Sequence, residues 1–374
     1  MGLHIAILEP YFGGSHAVFV NTLCDHSRHE YTVASMPARK WKWRMRGSGV
    51  HFTRQDVAWM SRAPVGGYDV LLCSDMLPVA DCRALLPRAQ RDTPIVCYFH
   101  ENQLTYPVVH DDPRDFHFAM TNVVYCLAAD AVWFNSHYHR DAFLNAAGEM
   151  LARMPYHIPA SALDEISKKS SVLFPPVLVK PVRRAAPAGR ADQPLTILWS
   201  HRWEYDKNPK PFLDALVLLM DEGVPFQVVF LGERFETVPS EFAPALQRLE
   251  PRISHVGWLP ERADYLATLA GCDLVVSTAI QENFGYAVIE SILCGCQPLL
   301  PNRLAYPEVI PASHHPAALF PGDDQLVDAL RDILTGGRRM TCDEIHALQD
   351  KLAKRFGYPA LQRIDDALER IALC

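Results

Sequence analysis

Short apolar runs alternate with longer stretches of helical spacing along most of this chain. Ile5–Leu8, Tyr31–Ala34, Asp69–Cys73, Ile95–Phe99 and Ala131–Phe134 are runs of four or five residues bounded by polar or turn residues. Their length and near-uniform apolarity predict strands buried on both faces of a parallel sheet. Between them, Ala17–Cys24 and Phe116–Ala129 carry apolar residues at helical spacing. From Pro175 to Pro194 the pattern lapses into Pro, Ala and Arg without a period, which reads as a linker. The alternation then restarts. Thr196–Trp199, Gln227–Leu231, His255–Val256, Leu274–Ser277 and Pro298–Leu300 read as strands, with helices at Pro209–Met220 and Tyr265–Ala270. Near the end, Leu361, Ile364, Leu368 and Ile371 mark a closing helix over Pro359–Ala372. The expected architecture is α/β: two Rossmann-like domains at 1–180 and 195–357, a linker at 181–194, and a helix at 358–374 packing back on the first domain.

Composition narrows this little. A chain of 374 residues with 49% hydrophobic and 21% charged positions is long enough for two ordinary domains, and excludes a disordered, collagen-like or coiled-coil chain. No run approaches 18 apolar residues, so no membrane span is expected, and the start shows neither a basic signal-peptide region nor the Ser/Thr of a myristoylation site. The ten cysteines are scattered, several inside apolar runs (Cys73, Cys97, Cys126, Cys272), as in a reduced cytoplasmic protein. Charge is uneven. Through Arg190 there are 20 Lys/Arg against 17 Asp/Glu; after it there are 16 against 26. A polyanionic partner is therefore expected to meet the first half.

In doubly wound sheets ligands bind beyond the carboxyl ends of the strands, so the segments that follow each strand matter most. After the first comes Glu9-Pro10-Tyr11-Phe12-Gly13-Gly14-Ser15-His16, where Gly13 and Gly14 allow a close backbone approach to an anion at a helix N-terminus. After the fourth comes His100-Glu101-Asn102-Gln103. The second half opens with Trp199-Ser200-His201-Arg202-Trp203-Glu204-Tyr205-Asp206-Lys207-Asn208-Pro209, two cations in the turn before a helix, suited to a diphosphate. Glu282 and Glu290 lie eight positions apart across a Gly-containing turn. Glu290 falls among Val288, Ile289, Ile292 and Leu293, where an unpaired carboxylate would be costly. Cys294-Gly-Cys296 and His137-Tyr-His139 are too sparse to suggest a metal site.

Glu282-x7-Glu290, with Arg202, Lys207 and the Gly13-Gly14 turn, resembles the retaining glycosyltransferases of the GT-B fold. The phrases Tyr11–His16, Pro37–Arg44, Tyr98–Leu104, Ser200–Glu204 and Ala305–Glu308 bring the likeness to the tRNA-queuosine alpha-mannosyltransferase family, over about residues 5 to 310. That resemblance implies two parallel sheets facing across a cleft and a sugar-nucleotide donor, GDP-mannose, used without metal or other cofactor. It implies that Gly13 and Gly14 approach the donor phosphates, that Arg202 and Lys207 neutralise the departing diphosphate, and that Glu282 holds sugar hydroxyls with backbone support near Phe284 and Gly285. It places Glu290 at the ribose, Trp258 and Leu259 beside the base, and His100 near the sugar, making Glu282, His100, Arg202 and Lys207 the catalytic set.

Arg39-Lys40-Trp41-Lys42-Trp43-Arg44-Met45-Arg46 interleaves five cations with two tryptophans. Cations meet phosphates and an exposed Trp stacks on an unpaired base, so the segment is the expected grip on tRNA carrying queuosine. A lipid or saccharide acceptor, and a nonenzymatic RNA-binding role on the same scaffold, are the competing expectations.

Overall fold

The computed structural model describes residues 2–54, 58–108, 114–154, 161–184, 193–234 and 238–373. Two compact units emerge: Met1–Pro176 together with Tyr358–Cys374, and Val177–Gly357 between them.

In the first unit six strands form one parallel sheet: β1 (His4–Phe12), β2 (Glu30–Pro37), β3 (Val70–Ser74), β4 (Ile95–Phe99), β5 (Ala131–Phe134) and β6 (Ser170–Val172). Their order is β2-β1-β3-β4-β5-β6. β3, β4 and β5 are buried at every position, as their unbroken apolarity requires. The second unit holds β7 (Leu195–Ser200), β8 (Phe226–Leu231), β9 (Ile253–Gly257), β10 (Leu274–Val276), β11 (Gln297–Pro301) and β12 (Leu319–Phe320). They run in the order β12-β11-β10-β7-β8-β9, again all parallel. Each order reverses direction once, beside β1 and beside β7. Such a switch point leaves a crevice at the carboxyl ends of its two strands. Among the described residues, no helix is long and apolar enough to cross a membrane.

The differences from the sequence reading have local causes. β1 runs on through Glu9, past the end of its apolar run, because that buried carboxylate accepts hydrogen bonds from the Tyr11 N–H at 2.8 Å and the Ser74 hydroxyl at 2.9 Å. β6 is short and polar and β12 has two residues, too little to show a period. The basic tryptophan segment begins a helix, Trp41–Phe52, that no apolar period in the sequence marks. Lys40 turns the chain into it in a left-handed conformation, φ 56°, and Met45, Ser48, Gly49 and Phe52 line its buried face at helical spacing. The small residues at 47–49 hide that stripe in the sequence.

The expected linker is partly anchored. The Arg183 guanidinium donates to the His346 carbonyl at 2.8 Å and to Gln349 Oε1 at 3.0 Å, and Arg184 pairs with Asp273 at 3.1 Å. Residues 185–192 of that stretch lie outside the described residues. The last helix, Tyr358–Ala372, buries Leu361, Ile364 and Leu368, and ties to the first unit through polar contacts as well. The Ser27 hydroxyl donates to Asp365 at 2.6 Å, and Arg28 pairs with Asp366 at 2.6 Å and Glu369 at 2.9 Å.

Candidate active site

At the switch point of the second sheet, the turn after β7 and the loop after β10 are bonded into one structure. Tyr205–Lys207 forms a single 3-10 turn, Asn208 takes a left-handed conformation (φ 45°), and Pro209 starts the helix Pro209–Asp221. The Asp206 carbonyl accepts the N–H groups of Ile280 at 2.9 Å and Gln281 at 3.2 Å. Thr278 Oγ1 donates to the Asn208 carbonyl at 2.7 Å. From the far side, Arg303 donates to the carbonyls of Ala279 at 3.0 Å and Thr278 at 2.8 Å.

These bonds bring Arg202, Lys207 and Glu282 together. The buried Lys207 ammonium donates to the Gln281 carbonyl at 2.9 Å and lies 3.1 Å from Asp206 and 3.5 Å from Glu282. Burial alone would lower its pKa, but the charges of Glu282 and Asp206 outweigh burial and raise it, so the amine stays charged. Arg202 pairs with Glu204 at 3.0 Å and approaches Asp206 at 3.8 Å. Beside them burial pushes the His201 ring down to about 3, so it is neutral near pH 7. A permanent positive charge beside a carboxylate at a switch point suits a ligand that is anionic at one end and hydroxylated at the other.

Gly285 stands at φ 90° and caps the helix Tyr286–Leu293, re-aiming the chain between the two glutamates. Glu290, buried at the fifth position of that helix, is not unpaired: Arg262 donates to Oε1 and the Tyr265 hydroxyl to Oε2 at 3.1 Å. The Phe284 ring is core, edge-on to Tyr286 and Phe356 at 5.2 Å each, which leaves its backbone as the part for a ligand. Trp258 is 64% exposed, and with Glu233, Arg234 and Gly257 it lines a cavity of about 450 Å³. Leu259 beside it is half-buried.

The first unit collects a different cluster at its own switch point. Glu9 ends the apolar part of β1, His16 lies in the first turn of helix Gly14–His26, Asp75 follows β3, and His100 follows β4. All four are buried. His16 Nδ1 lies 3.1 Å from Glu9 Oε2, and its ring overlies that of His100 with centroids 4.0 Å apart. Burial opposes charge on His16, but Glu9, helped by Asp75 and Glu101, lifts it to about 9. Burial and the neighbouring His16 hold His100 well below the usual histidine range, and burial lifts Asp75 to about 7. One imidazolium therefore lies against one neutral imidazole, the rings tilted by 31°. Glu9, His16 and His100 have ligand atoms within 4.8 Å of one another and could hold a metal ion, although Tyr11, Ser74 and His16 already occupy the Glu9 oxygens. At the turn itself, a Cβ on Gly13 would come within 2.5 Å of Ala38, and Gly14 has φ 51° with open space around it.

The basic helix divides its work. The Trp41 ring packs on the core, edge-on to Phe118 at 5.1 Å, and Lys42 and Arg46 lie over Phe118 at 5.7 and 4.9 Å. Arg44 is drawn back to the Pro37 carbonyl at 3.3 Å. Trp43 is 76% exposed and Arg39 and Lys40 are exposed. Of the two tryptophans, Trp43 is the one available to a partner.

Asp206, Arg262 and Tyr265 were not singled out in the sequence, nor were Glu9 and Asp75. Asp75 had a signal, standing directly after an apolar strand. Arg262 and Tyr265 had none, since only the fold brings their helix to Glu290.

Two doubly wound sheets, one carrying paired cations and carboxylates at its switch point, are the framework of a two-domain glycosyltransferase. Solved structures agree on the fold: sucrose-phosphate synthase from Thermosynechococcus elongatus superposes with a TM-score of 0.71 at 16% identity, covering 98% of each chain. The Anabaena HepE protein in complex with UDP gives 0.67 at 16% identity, covering 99% of this chain and 100% of that one. Residues 4–177 match the family model described as tRNA-queuosine alpha-mannosyltransferase N-terminal, and residues 184–354 match glycosyl transferases group 1. The tRNA-queuosine alpha-mannosyltransferase of Drosophila melanogaster is 38% identical over 319 residues, 82% of each chain. This chain belongs to that family.

Proposed function

We propose that the protein transfers mannose from GDP-mannose to queuosine in the anticodon loop of tRNA, with retention at the anomeric carbon, without a metal ion and in the cytoplasm. The observation that supports it most directly is the buried, charged Lys207 held 3.5 Å from Glu282, in a chain 38% identical to a relative named tRNA-queuosine alpha-mannosyltransferase. As the glycosyl–phosphate bond breaks, negative charge grows on the diphosphate, and cations already in place stabilise it without reorganising. Lys207 and Arg202 are those cations. Glu282 accepts from hydroxyls of the hexose, Glu290 from the ribose, and Trp258 with Leu259 flanks the base. The amides near Phe284 and Gly285 add donors. In the first unit, Arg39, Lys40, Lys42 and Arg46 meet phosphates of the tRNA while Trp43 stacks on a base; Trp41 and Arg44 hold the helix in place.

Purified protein is incubated with queuosine-containing tRNA and, in turn, GDP-mannose, UDP-glucose and UDP-galactose, with and without EDTA, and the digested nucleosides are weighed by mass spectrometry. One added hexose from GDP-mannose, insensitive to EDTA, is expected. A hexose taken from the UDP sugars instead, or none from any donor, would overturn the reading.

A further inference from the structure

Asp206 is wholly buried beside the donor cations, yet neither of its carboxylate oxygens accepts a regular hydrogen bond among the described residues. A buried carboxylate left so is expensive unless opposite charge faces it. Two cations do: Lys207 Nζ at 3.1 Å and Arg202 Nη2 at 3.8 Å, both on Oδ2. Its backbone carbonyl meanwhile accepts two N–H groups from the loop that carries Glu282. Asp206 thus faces both cations with its side chain and holds the loop that leads to Glu282 with its backbone.

We propose that Asp206 is a positioning residue for donor binding: its charge keeps Arg202 and Lys207 side by side, with Lys207 protonated, before any diphosphate arrives. Without a carboxylate there, Arg202 would keep its pair with Glu204 and Lys207 its approach to Glu282, but no charge would bridge the two cations, and Lys207 would lose its proton more readily or turn away. The ionisable groups facing Lys207 are Asp206, Glu282, Arg202 and His201; His201 stays neutral through the working pH range, so Asp206 and Glu282 set the charge of the lysine. The idea rests on the donor site proposed above and adds to it a group that touches no substrate.

The test is calorimetric titration of GDP into the full chain from pH 6.5 to 10, for the parent, Asp206→Asn, Asp206→Ser and Lys207→Met. Asp206→Asn should bind GDP about 10- to 100-fold more weakly at pH 7.5, and its affinity should begin to fall at a lower pH than the parent's. A merely structural role would weaken binding without moving that alkaline limb. Parental affinity and pH profile in a folded Asp206 variant would overturn the proposal, as would failure of both Asp206 variants to fold. Lys207→Met separates the two ideas. If it binds GDP like the parent, the donor site itself is misplaced; if it is weak while Asp206→Asn is normal, only the role of Asp206 falls.

Discussion

Glu290→Gln tests the contact proposed between Glu290 and the donor ribose. The carboxylate is buried and already accepts from Arg262 and Tyr265, so its position is set before a ligand binds. Gln keeps the volume and one acceptor and removes the charge. Hydrogen bonds to charged groups contribute about 1.5–3 kcal/mol, which at about 1.4 kcal/mol per tenfold corresponds to a ten- to 150-fold loss in nucleotide affinity. Stability should change little. The Arg262 left behind is half exposed, and a surface charge without its partner costs at most about 1 kcal/mol. A contact with the ribose that is equal before and during transfer predicts that KM rises with kcat nearly unchanged. Calorimetry with GDP and 2′-deoxy-GDP checks the contact directly. The parent should prefer GDP, and the variant should lose most of that preference. A variant that still discriminates between them as the parent does, or that loses kcat at constant KM, would refute the assignment of Glu290 to the ribose.

Glu282→Gln should leave the fold intact and lower kcat about a hundred- to thousandfold, the usual effect of one missing preorganised electrostatic contact, and because Glu282 also faces Lys207 it should weaken GDP binding as well; single-turnover nucleoside mass spectrometry and calorimetry read the two effects. Trp43→Ala should weaken tRNA binding by about 1–3 kcal/mol while Trp41→Ala lowers the melting temperature instead, and replacing Arg39, Lys40 and Lys42 by Ala should flatten the salt dependence in filter binding. Stability should peak near pH 6.5–7. Below it the buried rings of His139 and His201, both pushed to about 3, and His100 bind fewer protons folded than unfolded, so each removes about 1.36 kcal/mol per pH unit as pH falls below 6.5. Asp75, raised to about 7, opposes them but is one group against three. Above neutrality His16, raised to about 9, holds a proton that the unfolded chain lacks, so stability falls as pH climbs from about 6.5 to 9. Urea midpoints across pH 4.5–9.5 test both limbs.

The sequence made most of the framework legible because its strands are buried on both faces and so read as unbroken apolar runs; Ile95–Phe99 and Ala131–Phe134 coincide with the observed strands to the residue. It was silent where burial is polar or local signals are weak. Glu9 extends β1 through hydrogen bonds that no hydropathy pattern records. The helix at Trp41–Phe52 depends on a left-handed Lys40 and three small residues, both contrary to helical propensity. Arg202, Lys207 and Glu282 were found from their places after strands, whereas Asp206 hid inside the same motif because an acid between two cations reads as ordinary surface charge. The partner of Glu290 could not be named at all: the carboxylate's cost was foreseeable, but Arg262 lies 28 positions earlier and on another helix.

The return of the last helix alters what counts as a module in this chain. Val177–Gly357 is an unbroken stretch, whereas the other unit is completed by Tyr358–Cys374. In covalent terms the second unit is an insertion within the first. A ribosome therefore releases every residue of the inserted unit while its host still lacks the helix that holds Ser27 and Arg28, so the host is completed only once that helix has been made. Cutting the chain after residue 357 would leave the second unit intact and the first with an uncovered apolar seam. To express the first unit alone, its final helix would have to be joined directly to the end of β6 or moved ahead of β1.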